Sequence, residues 1–219
     1  MQSPPTPSFI ATPLTGCSPL VVNFTDNSSG TNQCGKITRL WTVTQTGSTC
    51  IQDSINDFAF SSGTNSASLN PVIRFNNQGT YTVTLSLTNK CGTFDTIQTF
   101  TVKRKPEVAL SGIPPFLCAG LSITPTATYA PCLGTISTYA WSFPGGNPSS
   151  SISQTPGTIT YPSAGNYSVS LAVTNECGTT TVSASITIQN APVAVAGNDK
   201  LYCSGGSAQI GGASTGQGA

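Results

Sequence analysis

Residues 79–92 read GTYTVTLSLTNKCG, and residues 165–178 read GNYSVSLAVTNECG. Both stretches alternate with period two. Tyr81, Val83, Leu85 and Leu87 fall on one face, with Thr80, Thr82, Thr84 and Ser86 on the other. Successive side chains of a strand point to opposite sides, so this is the pattern of an antiparallel strand with one face buried and one wet. The second copy sets Tyr167, Val169, Leu171 and Val173 in the same places. In each copy Asn-x-Cys-Gly then closes a turn into a further strand-like run, 93–102 and 179–188.

The match extends upstream. Trp41 in ITRLWTV corresponds to Trp141 in ISTYAWSF. Cys34 precedes its tryptophan by seven residues and Cys132 by nine; Cys17 and Cys118 lie 24 and 23 residues before the same landmarks. Gly79 follows Trp41 by 38 residues and Gly165 follows Trp141 by 24, so the first copy carries 14 extra residues, among them Cys50. Each copy holds about seven short strands with a buried tryptophan on the third, which predicts an immunoglobulin-like sandwich. Tyr81 and Tyr167, near the start of the sixth strand, suit a tyrosine corner, the hydroxyl bonding back to the preceding loop. The expected organisation is all-β: a sandwich with an inserted loop over 1–104, a second over 105–190, and the start of a third, truncated repeat over 191–219. Twenty-nine residues cannot bury a core of their own.

Composition narrows the function. Only 7% of the 219 residues are charged, with eight basic and seven acidic side chains. A nucleic-acid binder needs a basic face, and the densest basic run is Lys103-Arg104-Lys105, read as a solvated junction between domains. Histidine is absent, which removes the commonest general base and a leading metal ligand. The seven carboxylates form no evident acidic pair, and Ser204-Gly205-Gly206 does not lead from a strand into a helix as a phosphate cradle would. No apolar run reaches membrane-spanning length, so no membrane insertion is expected. These features predict a protein that is not an enzyme. Eight widely spaced cysteines without a C-x-x-C read as disulfides of an oxidising compartment. The opening Met1-Gln2-Ser3-Pro4-Pro5 is no signal peptide, so a piece of a longer secreted precursor is expected.

The run WSFPGGNPSSS followed by TITYPSAGNYSVSLAVTNECG, within 141–178, resembles a PKD repeat: Trp-x-Phe, a Gly-rich turn, a strand ending in Tyr161, then Gly-x-Tyr-x-Val. The first copy departs further, with WTVTQTG after its tryptophan and Phe75 where the second has Tyr161. The resemblance covers about residues 5–190. AGNDKLYCSGGSAQIGG near the end is similar to repeats of very large Bacteroidota surface proteins, including gliding-motility adhesins exported by type IX secretion. The resemblance implies an extracellular or cell-surface location and partners among neighbouring repeats of the parent chain, a surface polysaccharide or another cell-surface protein. Members with Gly-Asp-Gly carry an acid in the turn; here Pro144-Gly145-Gly146 and Gln45-Thr46-Gly47 stand instead, which argues against calcium. The oxygen-rich stretches Asp26-Asn27-Ser28-Ser29 and Asn198-Asp199 read as turns rather than cation sites, and no cofactor is expected.

Sandwich topology suggests disulfide partners. The loops after the second and sixth strands share one end of the sandwich, which pairs Cys34 with Cys91 and Cys132 with Cys177. The loops after the first and third strands share the other end, which pairs Cys17 with Cys50. Cys118 and Cys203 are then left to each other, unless Cys203 pairs beyond residue 219 and Cys118 stays buried. Free buried thiols are the competing reading of all eight.

Two functions fit: a non-catalytic structural or binding stalk of a bacterial surface adhesin, and an accessory, carbohydrate-binding module of a secreted hydrolase. An exposed aromatic row able to stack on sugars would favour the second. Phe58, Phe60 and Phe94 are its candidates, against the plainer reading of core phenylalanines. Asp53-Ser54-Ile55 and Asp95-Thr96-Ile97 resemble a Bacteroidota O-glycosylation acceptor pattern.

Overall fold

The computed structural model describes residues 4–30, 35–47, 50–52 and 56–190. Among them every helix or strand is a strand, so no helix is long and apolar enough to cross a membrane. The stretch 191–219, read as a third repeat, lies outside the described residues, as do Cys34 and Cys203. The chain divides into two compact units. The first comprises Met1–Glu107 together with Ala130–Ser137 and Thr174–Thr179; the second holds Val108–Tyr129, Thr138–Val173 and the residues from Thr180 on.

In the first unit the strands are β1 (Phe9–Thr12), β2 (Thr15–Cys17), β3 (Leu20–Asp26), β4 (Thr38–Thr46), β5 (Phe58–Ser61), β6 (Val72–Phe75), β7 (Gly79–Asn89) and β8 (Gly92–Lys103). They form two four-stranded sheets, ordered β1-β3-β6-β5 and β2-β8-β7-β4. Contacts within each sheet are antiparallel except β2 against β8, where Thr15–Cys17 runs parallel to Thr101–Lys103. This is the two-layer arrangement of an immunoglobulin-like sandwich.

The alternation of β7 decides what fills the space between the sheets. Tyr81, Val83, Leu85 and Leu87 have no exposed surface, while Thr80, Thr82, Thr84 and Ser86 face the other way. Trp41 pairs in register with Leu85 and is 1% exposed. Its ring meets Phe9 edge-on at 5.0 Å and Phe24 at 5.6 Å, and its indole nitrogen donates to the Ser68 carbonyl at 2.9 Å. A buried indole N–H without such an acceptor would carry the full cost of its lost hydration.

The remaining strands, which lie in the second unit except for end residues of β9, β12, β16 and β17, are β9 (Glu107–Ser111), β10 (Phe116–Cys118), β11 (Ser122–Ile123), β12 (Thr126–Ala130), β13 (Thr138–Ser142), β14 (Ser150–Ser151), β15 (Ile159–Thr160), β16 (Gly165–Asn175) and β17 (Gly178–Gln189). The main sheet is ordered β10-β17-β16-β13-β14, and the two-stranded sheets β11-β15 and β12-β9 accompany it. Val169, Leu171, Val173 and Trp141 are buried, and the Trp141 nitrogen donates to the Ser153 carbonyl at 3.1 Å, repeating the arrangement at Trp41.

Both tyrosines reach back four residues. The Tyr81 hydroxyl donates to the Asn77 carbonyl at 2.9 Å and accepts from Gln45 Nε2 at 3.2 Å; the Tyr167 hydroxyl donates to the Ser163 carbonyl at 3.2 Å. Burial, reinforced by the charge of Asp57, pushes the Tyr81 hydroxyl up to about 12. A group whose folded pKa is raised contributes stability that is complete below its unfolded pKa and is lost as pH climbs through the folded one. Urea unfolding between pH 7 and pH 11.5 should therefore show stability falling above about pH 10. Tyr81→Phe should lose about 1–2 kcal/mol at neutral pH and fall less steeply in the alkaline range.

Candidate functional site: the disulfide cluster

The Asn-x-Cys-Gly turns are built alike. Asn89 Oδ1 accepts the Cys91 N–H at 2.9 Å, and Asn175 Oδ1 accepts the Cys177 N–H at 2.8 Å. This side-chain turn leaves two residues between strands that pair at Asn89 and Gly92. The glycine that follows has φ of 130° at Gly92 and 122° at Gly178, which a side chain adopts only with strain. Four-residue logic of this kind presents a cysteine at the tip of a rigid hairpin.

The partners of these cysteines correct the pairing expected above. Cys17 is bonded to Cys177, with Cα atoms 5.5 Å apart, and Cys50 is bonded to Cys132, also at 5.5 Å. Cys132 is thus not joined to Cys177, nor Cys17 to Cys50. The expectation assumed that each repeat closes its own loops. Instead Ala130–Ser137 and Thr174–Thr179, which carry Cys132 and Cys177, group with the first unit, and a disulfide forms only between α-carbons within about 7 Å. Cys91 and Cys118 are disulfide-bonded as well. The expected pairings with Cys34 and Cys203 fall outside the described residues.

Polar contacts surround the two bonds. Asn175 is 4% exposed, and its amide nitrogen donates to the carbonyls of Arg104 at 2.7 Å and Pro131 at 3.1 Å. Gly134 leaves room for that amide, since a Cβ there would collide with Asn175 Nδ2. Glu176 accepts from Lys103 Nζ at 2.6 Å and from the Thr135 N–H at 2.8 Å. These bonds, the Lys103 contact first, lower its carboxyl to about 2. Arg104 donates to the Ile51 carbonyl at 2.6 Å and faces Glu107 at 3.5 Å. The basic run is therefore not simply solvated: Lys103 and Arg104 are both engaged, and Lys105 is exposed.

Pro131-Cys132-Leu133-Gly134 forms a tight turn closed by Gly134 N–H to the Pro131 carbonyl at 2.9 Å. Its central residues have φ of 53° and 64°, the type I′ geometry that normally selects Asn or Gly. Two side chains in this region store on the order of 1–2 kcal/mol each, and such strain persists only where the surroundings over-determine the conformation. The Cys50–Cys132 bond and full burial of Cys132 supply that constraint. Cys50, Cys132 and Glu107 converge closely enough to suggest a metal cluster, but both sulfurs are consumed in their mutual bond, leaving one carboxylate oxygen.

The remaining candidate residues lie elsewhere. Phe58 and Phe60, on β5, are half-buried and pack against the first unit's core, Phe58 lying 6.4 Å from Phe75. Phe94 is half-buried opposite Leu87. The three do not make an exposed row. Asp26 is raised by burial, yet the Arg39 contact at 2.6 Å and the bonds from Ser28 outweigh it and hold its carboxyl low. With its charge met by a guanidinium, that turn is no cation site. In the second repeat the turn position that bears the family's acid is Gly145, at φ 76°, where a Cβ would strike the Tyr167 ring. Thr96 pairs with Leu85 and lies half-buried on the core-facing side of β8, unsuited to glycosylation. Asp53-Ser54-Ile55 and Asn198-Asp199 fall outside the described residues.

Asn175→Ala should cost about 1–3 kcal/mol in urea unfolding, because it removes the bonds from its amide to the Arg104 and Pro131 carbonyls and the acceptor of the Cys177 N–H. The depressed Glu176 carboxyl contributes stability present above about pH 4.5 that is lost as pH falls toward 2. Acid titration of unfolding should show that loss, and Glu176→Gln should flatten it.

The PKD domain model matches residues 107–188. No curated protein matches the chain. Among solved structures, the I-band fragment I67-I69 of titin is similar at 12% identity and a TM-score of 0.45, covering 87% of this chain and 67% of that one. The FN1-FN3 domains of chicken CNTN1 are similar at 15% identity and a TM-score of 0.45, covering 87% and 69%. The N-terminal eight Ig domains of Down Syndrome Cell Adhesion Molecule are similar at 14% identity and a TM-score of 0.42; the match spans 86% of this chain but a quarter of that one. The protein is an all-β tandem of immunoglobulin-like repeats, a structural or binding architecture, whose second repeat matches the PKD domain.

Proposed function

We propose that the protein is a non-catalytic spacer segment of a bacterial cell-surface adhesin, divided into repeats over 1–104 and 105–190 with a further repeat beginning at 191. The observation that carries this reading is the pair of bonds Cys17–Cys177 and Cys50–Cys132, which tie the first repeat to two turns of the second in sequence. A spacer outside the cell needs repeats that hold together without chaperones or a reducing pool, and long-range disulfides serve that need. Thr- and Ser-rich outer faces on β7 suit a rod that must stay soluble beside copies of itself. The resemblance of the chain's end to repeats of large gliding-motility adhesins points to type IX export and to neighbouring repeats of the parent as its first partners. The alternative, a sugar-binding module of a secreted hydrolase, loses its main support because Phe58 and Phe60 pack inward.

Immunoblotting of fractionated source cells with antibody to this segment tests the reading. A surface-bound band of very high mass is expected. A soluble band that co-purifies with glycan hydrolysis would overturn it.

A further inference from the structure

We propose that the Cys17–Cys177 bond makes the chain a nearly inextensible tether, in which tension between its two ends bypasses everything from residue 18 to residue 176. A load applied at the N-terminal side travels along β1 and β2 to Cys17. There it meets a covalent branch: the sulfur bridge leads directly to Cys177, 160 positions further on. From Cys177 it continues into β17 and onward. Of the seventeen strands described, β1, β2 and β17 lie on this line. The other fourteen, with both buried tryptophans, lie between the two bonded cysteines, on the bypassed side.

The placement of the two cysteines leaves little slack. Cys17 is the last residue of β2, and Cys177 is the residue immediately before β17 begins at Gly178. The bond therefore joins the end of one loaded strand to the start of the next. A strand already rises about 3.3 Å per residue, and a fully stretched chain reaches only about 3.3–3.6 Å. Pulling along β17 thus gains almost no length. A tandem without disulfides would pass load through every residue and could lengthen by unravelling each sandwich in turn; with Cys50–Cys132 alone, the stretches on either side of that loop would still unravel. Cys50–Cys132 lies wholly inside the bypassed stretch and is no part of the load line.

The biological use of such a tether rests on the spacer reading above, whereas the bypass rests on the bond alone. Stretching the purified chain tests the second whatever cell fractionation says of the first. The full 219-residue chain is held by handles at both ends and pulled in oxidising buffer, then after reduction with dithiothreitol. Reduction should add about 550 Å of extension, the contour of the 160 positions released. Cys17→Ser with Cys177→Ser should unravel in oxidising buffer, while Cys50→Ser with Cys132→Ser should not. Because cysteine variants can fail to fold, a protease site inserted directly after Gly30, inside the Cys17–Cys177 loop but outside the Cys50–Cys132 loop, gives an independent arm. The nicked tether should hold when oxidised and part when reduced. Equal extension of the oxidised and reduced chains, or parting of the nicked oxidised tether, would overturn the proposal.

Discussion

The rest of the structure depends on one buried row: Tyr81, Val83, Leu85 and Leu87 on β7, closed over by Trp41 from β4. A sheet has to bury one face against another layer, and a row of fully buried side chains on a central strand determines where that layer sits. Shifting β7 by one residue would turn four threonine and serine side chains inward and expose the row, so register is fixed as firmly as burial. The aromatic neighbours Phe9, Phe24 and Phe75 pack at tilted or edge-on angles around it, and Phe100 stacks against Tyr81 at 6.0 Å. That geometry suits rings whose edges and faces carry opposite partial charge. In the second repeat Trp141, Val169, Leu171 and Val173 are likewise buried.

From that row the chain reaches its hairpin tip, and the tip is where structure turns into mechanical consequence. The asparagine that caps the cysteine N–H is local chemistry, the same at Asn89 and Asn175. Yet Asn175 also spends its amide nitrogen on the carbonyls of Arg104 and Pro131. One side chain thereby shapes the turn that presents Cys177 and fastens it to the segments beside it. The strained turn at Cys132 is held in the same neighbourhood by Cys50. Long-range bonds of this kind act mainly by restricting the unfolded chain, and the chain-entropy picture gives about 4–5 kcal/mol for loops as large as these.

How much of this site could be read from the sequence is plain at particular residues. That the cysteines near each hairpin form disulfides follows from spacing and composition. The partners do not, because four cysteines alone admit three connectivities and only proximity selects one. Loop position alone closes 105–190 upon itself, whereas Ala130–Ser137 and Thr174–Thr179 group with the first unit. The engagement of Lys103 is hidden for the same reason: nothing in the run Lys103-Arg104-Lys105 announces Glu176, seventy-three residues away. Gly134, whose missing side chain admits the Asn175 amide, had no signal at all.

The sequence by itself determined the strands, their buried faces and the repetition, since these depend on period-two alternation and on turn residues that act within a few positions. Both tryptophans and both back-bonding tyrosines belong to that local grammar. Only the tertiary structure decided which sulfur meets which, that Phe58 and Phe60 join a core rather than a binding row, and that Gly145 must lack a side chain beside Tyr167. Each of those turns on distances between residues far apart in the chain. Such distances are set by how the layers close, and no stretch of sequence records them.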